Sequence, residues 1–175
     1  EIIKKLSMDT DPSVRASVAS NSKTPQNILK NLSKDNDISV IISLSENIKT
    51  PINILKKILN HSKINERKKN LNDSNEELSR IYLGILEHDD LDESILKTIA
   101  DSPDKGVRSL TARHPNISVN LLKKLSLDSY EDVRISVAES KNINLEIIKL
   151  LINDPSKAVR TTTISNPLTP SNLKF

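Results

Sequence analysis

The chain has 175 residues, a formal net charge of +3, 35% hydrophobic, 28% charged and only 2% aromatic residues, two glycines and no cysteine. That balance permits a thin core of Ile, Leu, Val and Ala. It excludes a disulfide framework, a thiolate metal site, a cysteine nucleophile and a collagen-like or low-complexity chain.

The charge falls short of the footprint of a dedicated nucleic-acid binder. No apolar run approaches the roughly 20 residues needed to span a bilayer. Glu1-Ile2-Ile3-Lys4-Lys5-Leu6 lacks the apolar core of a secretory signal, and with no cysteine the chain is expected in the cytoplasm. It begins without Met, which suggests a fragment or a processed product.

The first predicted element runs through Asp9-Thr-Asp-Pro-Ser-Val14-Arg15-Ala-Ser-Val18-Ala19. Val14 and Val18 are one helical turn apart and share a face, and small Ala19 lets a neighbouring helix approach. Asn21 suits the left-handed residue that ends a helix. Thr24-Pro25 then reads as a cap followed by Pro at the first helical position, opening a second helix with Ile28-Leu29-Lys-Asn-Leu32. The same order returns 26 residues on, at Val40, Asn47, Thr50-Pro51 and Ile54-Leu55-Lys-Lys-Ile58.

Residues 60–72 break the register by about a dozen residues, and Leu78 takes the next anchor position. Val107 follows after 29 residues, then Val133 and Val159 at steps of 26. Leu121-Leu122-Lys-Lys-Leu125 forms another second helix, and Asn166 with Thr169-Pro170 closes the series. The units are therefore about 1–33, 34–59, 73–100, 101–126, 127–152 and 153–175, with an irregular insert at 60–72. Other columns keep step: Asp9, Asp35, Asp73, Asp128 and Asp154 five before the anchor, and Arg15, Arg108, Arg134 and Arg160 just after it. Pro12, Pro25, Pro51, Pro103, Pro115, Pro155, Pro167 and Pro170 all fall at predicted boundaries, where a missing amide hydrogen does no harm.

A helix pair this short cannot bury its apolar face alone, so the units are predicted to stack into an all-α solenoid. Neither terminus has a polar capping helix, and Leu173-Lys174-Phe175 stops within a unit. The stack is expected to continue into further chain or another subunit.

The Asp-x-x-Pro/x-x-Val-Arg-x-x-Val-Ala pattern resembles HEAT-like repeats. With the short period and the Asn-x-x-Thr-Pro-x-x-Ile-Leu-x-x-Leu that follows, it looks most similar to bacterial variant leucine-rich repeats. The resemblance covers 1–59 and 101–175 well and 60–100 poorly. It implies a right-handed α-α superhelix of the HEAT/armadillo kind, a scaffold role and no chemistry. Some variant leucine-rich repeat proteins carry an iron–sulfur module on cysteines, which this chain lacks. The resemblance also implies that the Asp six residues before each Arg bonds to Arg or backbone within and between units, forming a ladder; Asp9/Arg15, Asp128/Arg134 and Asp154/Arg160 have that spacing.

A reactive acid–base pair is needed once, whereas these pairs recur, so no catalytic residue, cofactor or metal is expected. His114 stands in the Asn column and reads as a turn residue. His88-Asp89-Asp90 offers metal-capable atoms around a single imidazole, and His61 lies in the insert. Candidate partner-binding residues are Lys63, Arg67, Lys68 and Lys69 in the insert, facing an acidic run of Glu87, Asp89, Asp90, Asp92 and Glu93 in sequence. A second candidate strip comprises the positions two and six after each anchor: Ala16/Ser20, Ile42/Glu46, Arg80/Gly84, Ser109/Arg113, Ile135/Glu139 and Thr161/Ser165. Its mixed chemistry suits a protein or peptide better than a phosphate backbone.

The favoured expectation is a non-catalytic protein-interaction scaffold. A nucleic-acid-binding HEAT-like module is the first alternative, although the aromatic cluster of the HEAT-like alkylpurine DNA glycosylases is missing and two tyrosines serve base stacking poorly. A bilin-lyase-like HEAT protein is the second.

Overall fold

The computed structural model describes residues 1–61, 64 and 76–174. These residues form twelve α-helices and one 3-10 turn, with no strand among them. The chain divides into two compact units, Glu1–Asp90 and Leu91–Phe175. Unit 1 holds α1 (Ile2–Leu6), α2 (Pro12–Ser20), α3 (Gln26–Leu32), α4 (Ile38–Glu46), α5 (Ile52–Leu59) and α6 (Glu76–Leu86). Unit 2 holds α7 (Glu93–Ile99), α8 (Lys105–Arg113), α9 (Val119–Leu125), α10 (Glu131–Glu139), α11 (Leu145–Leu151), α12 (Lys157–Ser165) and the 3-10 turn Ser171–Leu173.

Helices of this length are marginal in isolation, and many starts are locally reinforced. Asp11, Asp37 and Asp104 cap α2, α4 and α8, their carboxylates accepting from the backbone N–H of Ser13, Ser39 and Gly106. Ser118, Asn144 and Ser156 do the same for α9, α11 and α12. Pro12 occupies the first position of α2, and no proline interrupts a helix interior.

The Thr-Pro pairs work differently from the sequence expectation. Pro25 and Pro51 are themselves the extended residues preceding α3 and α5, with ψ of 143° and 146°. The hydroxyls of Thr24, Thr50 and Thr169 donate backwards, to the carbonyls of Val18, Leu44 and Thr163 at 2.6, 2.8 and 2.5 Å. A threonine thus satisfies an orphan carbonyl of the helix before it.

Packing follows the aliphatic columns. In unit 1, α2 packs on α4 and α4 on α6; in unit 2, α8 packs on α10 and α10 on α12. Val40, Leu78, Val107, Val133 and Val159 are all buried, while Val14 is half-buried. Where Thr111 and Thr163 replace an aliphatic residue one turn later, each hydroxyl bonds the carbonyl four residues back at 2.8 Å. Ala19, Ser45, Ala112 and Ala138 are buried at the helix contacts, as small residues there require. Gly84 is buried against α4, which removes it from the predicted exposed strip. Second helices bury an Ile/Leu triad each: Ile28, Leu29 and Leu32 in α3, and Ile147, Ile148 and Leu151 in α11. Complete burial of each such side chain stabilises by about 1.5–3 kcal/mol.

Candidate interaction surface

The Arg column builds a joint between successive helix pairs. Arg108 donates from Nε and Nη2 to the two carboxylate oxygens of Asp128, at 2.6 and 3.0 Å. Its Nη1 donates to the carbonyls of Ser102 and Pro103, at 2.8 and 3.0 Å. Arg134 repeats the arrangement on Asp154, and Arg15 repeats it on Asp35 in unit 1.

The expected pairs Asp9/Arg15, Asp128/Arg134 and Asp154/Arg160 are each bonded, through main chain and not through the carboxylate. The residue six before each Arg offers its backbone carbonyl, while for Arg15, Arg108 and Arg134 the carboxylate comes from the aspartate 20 residues ahead. Planar guanidinium matches this geometry, because one edge fits a carboxylate while the remaining nitrogen reaches main chain.

Electrostatics follow the geometry. Hydrogen bonding to Arg15 holds the Asp35 carboxyl below the ordinary aspartate range. Burial pulls the carboxyls of Asp128 and Asp154 upward, but Arg108 or Arg134, together with a backbone N–H, outweighs it and leaves both lowered. These groups are anionic and committed to structure.

The Asn column makes a second joint. No described residue has a positive φ, and Asn21, Asn47 and Asn166 are extended, so the left-handed ending expected for them does not occur. Asn47 Nδ2 donates to Ala19 O at 2.7 Å, and Asn166 Nδ2 donates to Ala138 O at the same distance. Each side-chain oxygen accepts a backbone N–H two residues on, from Lys49 and Leu168. One amide thereby fixes its own turn and clasps the end of the neighbouring helix.

Histidine substitutes in both parts of this device. His114 Nδ1 accepts from Asn116 N at 3.1 Å, matching the turn role read from its column. His88, only 8% exposed, lies 3.2 Å through Nε2 from Ser45 O. A carbonyl only accepts, so Nε2 carries the proton. Ser45 occupies the position of Ala19 and Ala138, so His88 stands in for an asparagine at the step of unit 1 that follows the Asn47 clasp. Burial lowers the pKa of His88 and favours the neutral ring. Among the described residues no group of three or more metal-capable side chains gathers around a common point.

Of the predicted partner-binding residues, Lys63, Arg67, Lys68 and Lys69 lie outside the described residues. Arg80 is exposed in unit 1, with Nε 2.7 Å from Glu46 Oε1. Arg113 is exposed in unit 2, with Nη2 2.8 Å from Glu139 Oε2. The strip is therefore charge-paired within each unit, and such pairs cost little to break, about 0–1 kcal/mol. Ser20, Glu46, Glu139, Thr161 and Ser165 are exposed, and Ala16, Ser109 and Ile135 half-buried. Ile42 is buried, a second correction to the strip; it faces the packed side of α4.

Each unit carries an open groove, and that of unit 2 includes strip residues. The one in unit 2, about 360 Å³, is lined by Arg113, His114, Pro115, Glu139 and Asn142. The one in unit 1, about 420 Å³, sets exposed Ile48 and Lys49 beside Glu87, Asp89 and Asp90. Both volumes are of small-ligand scale, but the grooves are open to solvent and their walls mix polar and apolar groups, which suits side chains of a docked polypeptide. The acidic run thus acquires an apolar neighbour, Ile48, that sequence reading missed. Tyr130 was missed as well: it is 50% exposed, with Lys105 Nζ and Arg108 Cζ 5.4 and 5.5 Å from its ring centre. An aromatic between cations, with Leu127 at 70% exposure three residues before it in sequence, has the make-up of an interface anchor.

No helix among the described residues is long and apolar enough to cross a membrane. Compared with family models, curated proteins and solved structures, the chain matches none.

Proposed function

We propose that this chain is a non-catalytic scaffold for protein partners, a right-handed superhelix of short helix pairs of the HEAT-like, variant leucine-rich kind. The observation that carries the reading is the Arg-to-Asp joint, made at one offset by Arg15, Arg108 and Arg134. Side chains that would otherwise attract a catalytic interpretation are consumed in holding neighbouring helix pairs together. Periodic assembly of that kind leaves an extended surface whose residues are free to vary, and extended surfaces bind macromolecules.

The contact residues are Arg80 with Glu46 in unit 1, and Arg113 with Glu139 and the groove they line in unit 2. Exposed ion pairs and mixed apolar, hydroxyl and charged groups suit a polypeptide; repeated Lys or Arg would suit a phosphate backbone. A crosslinking and co-purification comparison tests the reading, using the chain, Arg80→Glu with Arg113→Glu, and a form lacking residues 60–72. Loss of specific proteins from the altered forms supports it. An unchanged partner set, or recovery of nucleic acid alone with steep salt dependence, overturns it.

A further inference from the structure

We propose that the outer face of α3 and α5 in unit 1 docks the phosphate backbone of a double-stranded nucleic acid. The second helices carry a lysine column, Lys30 and Lys56 in unit 1 and Lys97, Lys123 and Lys149 in unit 2, each directly after a buried aliphatic pair. All five are exposed. In unit 2 carboxylates sit among these lysines. Lys123 pairs with Glu146 on the next second helix, and Lys124 pairs with Asp101 just past the end of the previous one. Successive second helices therefore bring their outer residues onto a shared face.

Unit 1 repeats the lysines without the carboxylates. The position of Glu146, three before the column lysine, is Asn27 in α3 and Asn53 in α5. The position of Asp101, four after it, is Lys34 and Asn60, and Lys57 matches Lys124. Lys30, Lys34 and Lys57 have no ion pair among the described residues. Asp35, the acid nearest Lys34 in the chain, is committed to Arg15. Burial of Ile28, Leu29 and Leu32, and of Ile54, Leu55 and Ile58, turns the lysines outward on both helices. Every other exposed side chain of α3 and α5 is an amide, such as Asn27, Asn31 and Asn53. The modest net charge of +3 conceals this face, because neither helix contributes an acid. Lysine and amide donors fit phosphate oxygens. A polypeptide site needs apolar anchors, a lipid surface needs apolar insertion and a single strand needs aromatic stacking, and α3 and α5 expose no large apolar or aromatic group.

Fluorescence anisotropy of labelled duplexes of two unrelated sequences, titrated with the full chain over a range of salt, tests this. Affinity should agree between the sequences within about twofold, because backbone contacts carry no sequence information. The log–log salt slope should lie near about −3 to −4, that of four lysines at ~0.9 each. Lys30→Gln with Lys56→Gln should weaken binding about tenfold or more at about 0.1 M salt and flatten the slope by about 2. Asn27→Glu with Asn53→Glu copies the placing of Glu146 and should weaken binding as much, with helicity unchanged by circular dichroism. Lys123→Gln with Lys124→Gln removes lysines already paired in unit 2 and should change it by less than about threefold. No duplex binding at the lowest salt, or an equal loss from the unit 2 variant, would overturn the proposal. So would equal or tighter binding of a labelled single strand, a polyglutamate peptide or phosphatidylserine vesicles. None of these substitutions touches Arg80 or Arg113, so duplex binding and protein capture are lost separately and either reading can fail alone.

Discussion

A Cβ on Gly84 would stand 2.9 Å from Ser45 Oγ and 3.0 Å from the backbone nitrogen of Glu46. Alanine is ordinarily better than glycine inside a helix by about 1 kcal/mol. Here the methyl meets main chain and a hydroxyl already tied to Ile42 O at 2.7 Å, and overpacking of this kind costs about 1–3 kcal/mol. Gly84→Ala should therefore lower stability by about 1 kcal/mol despite its better propensity, and Gly84→Val by about 2–3 kcal/mol. Urea denaturation followed by circular dichroism decides the sign; a more stable Gly84→Ala protein would contradict the close approach of α6 to α4.

Arg134→Ala strands Asp154, whose side chain is 5% exposed, and frees two backbone carbonyls. The expected loss is about 2–3 kcal/mol, that of an orphaned, largely buried carboxylate. Arg134→Lys keeps the charge but cannot serve carboxylate and carbonyls together, so about half that loss should remain. If lysine restores full stability, the joint acts by charge alone.

Acid should destabilise the fold in two stages. The folded pKa of His88 is depressed, so its contribution is complete above the ordinary value of about 6.5 and fades as pH falls from there through the folded value. Asp35, Asp128 and Asp154 are also depressed. Their contribution is present above about pH 4, the ordinary aspartate value, and is lost as pH falls below it through their folded values. Thermal melts across this range should show both stages. His88→Asn, which can still clasp Ser45 O, should abolish the upper one and leave the lower intact.

Binding and folding should separate at Arg113. Reversing it to Glu removes an exposed pair with Glu139, so stability should change by no more than about 1 kcal/mol. Capture of the partner should fall about tenfold or more if the strip is the contact, since a hot-spot arginine is worth about 2 kcal/mol. Adding Glu139→Arg restores the ion pair but not the charge order, so it should not rescue capture. A double variant that recovers binding would mean the strip is read only through its shape.

Much of the helix pattern was written locally. Val107 and Val133 keep a 26-residue step, and the prolines mark the gaps, because aliphatic periodicity and missing amide hydrogens act within a few residues of themselves. Contacts between one helix pair and the next were far less legible. That Arg108 reaches Asp128, and passes over the nearer Asp104, depends on how helices stack in space. The clasp of Asn47 on Ala19 was hidden behind a turn residue that looks purely local. His88 was harder still, since the longer step between Leu78 and Val107 moved it out of the asparagine column. Ile48 and Tyr130 carried no periodic signal, because exposed positions are free of the packing that imposes one.

Asp128 holds Arg108 through its carboxylate and Arg134 through its carbonyl, and Asp154 does the same for Arg134 and Arg160. Every aspartate in that run is shared by two arginines, so the links of unit 2 lie in series, like rivets that each pass through two plates. Shifting one helix pair withdraws an anchor from both of its neighbours. Under tension such an assembly resists until one link yields, and then gives way along its length.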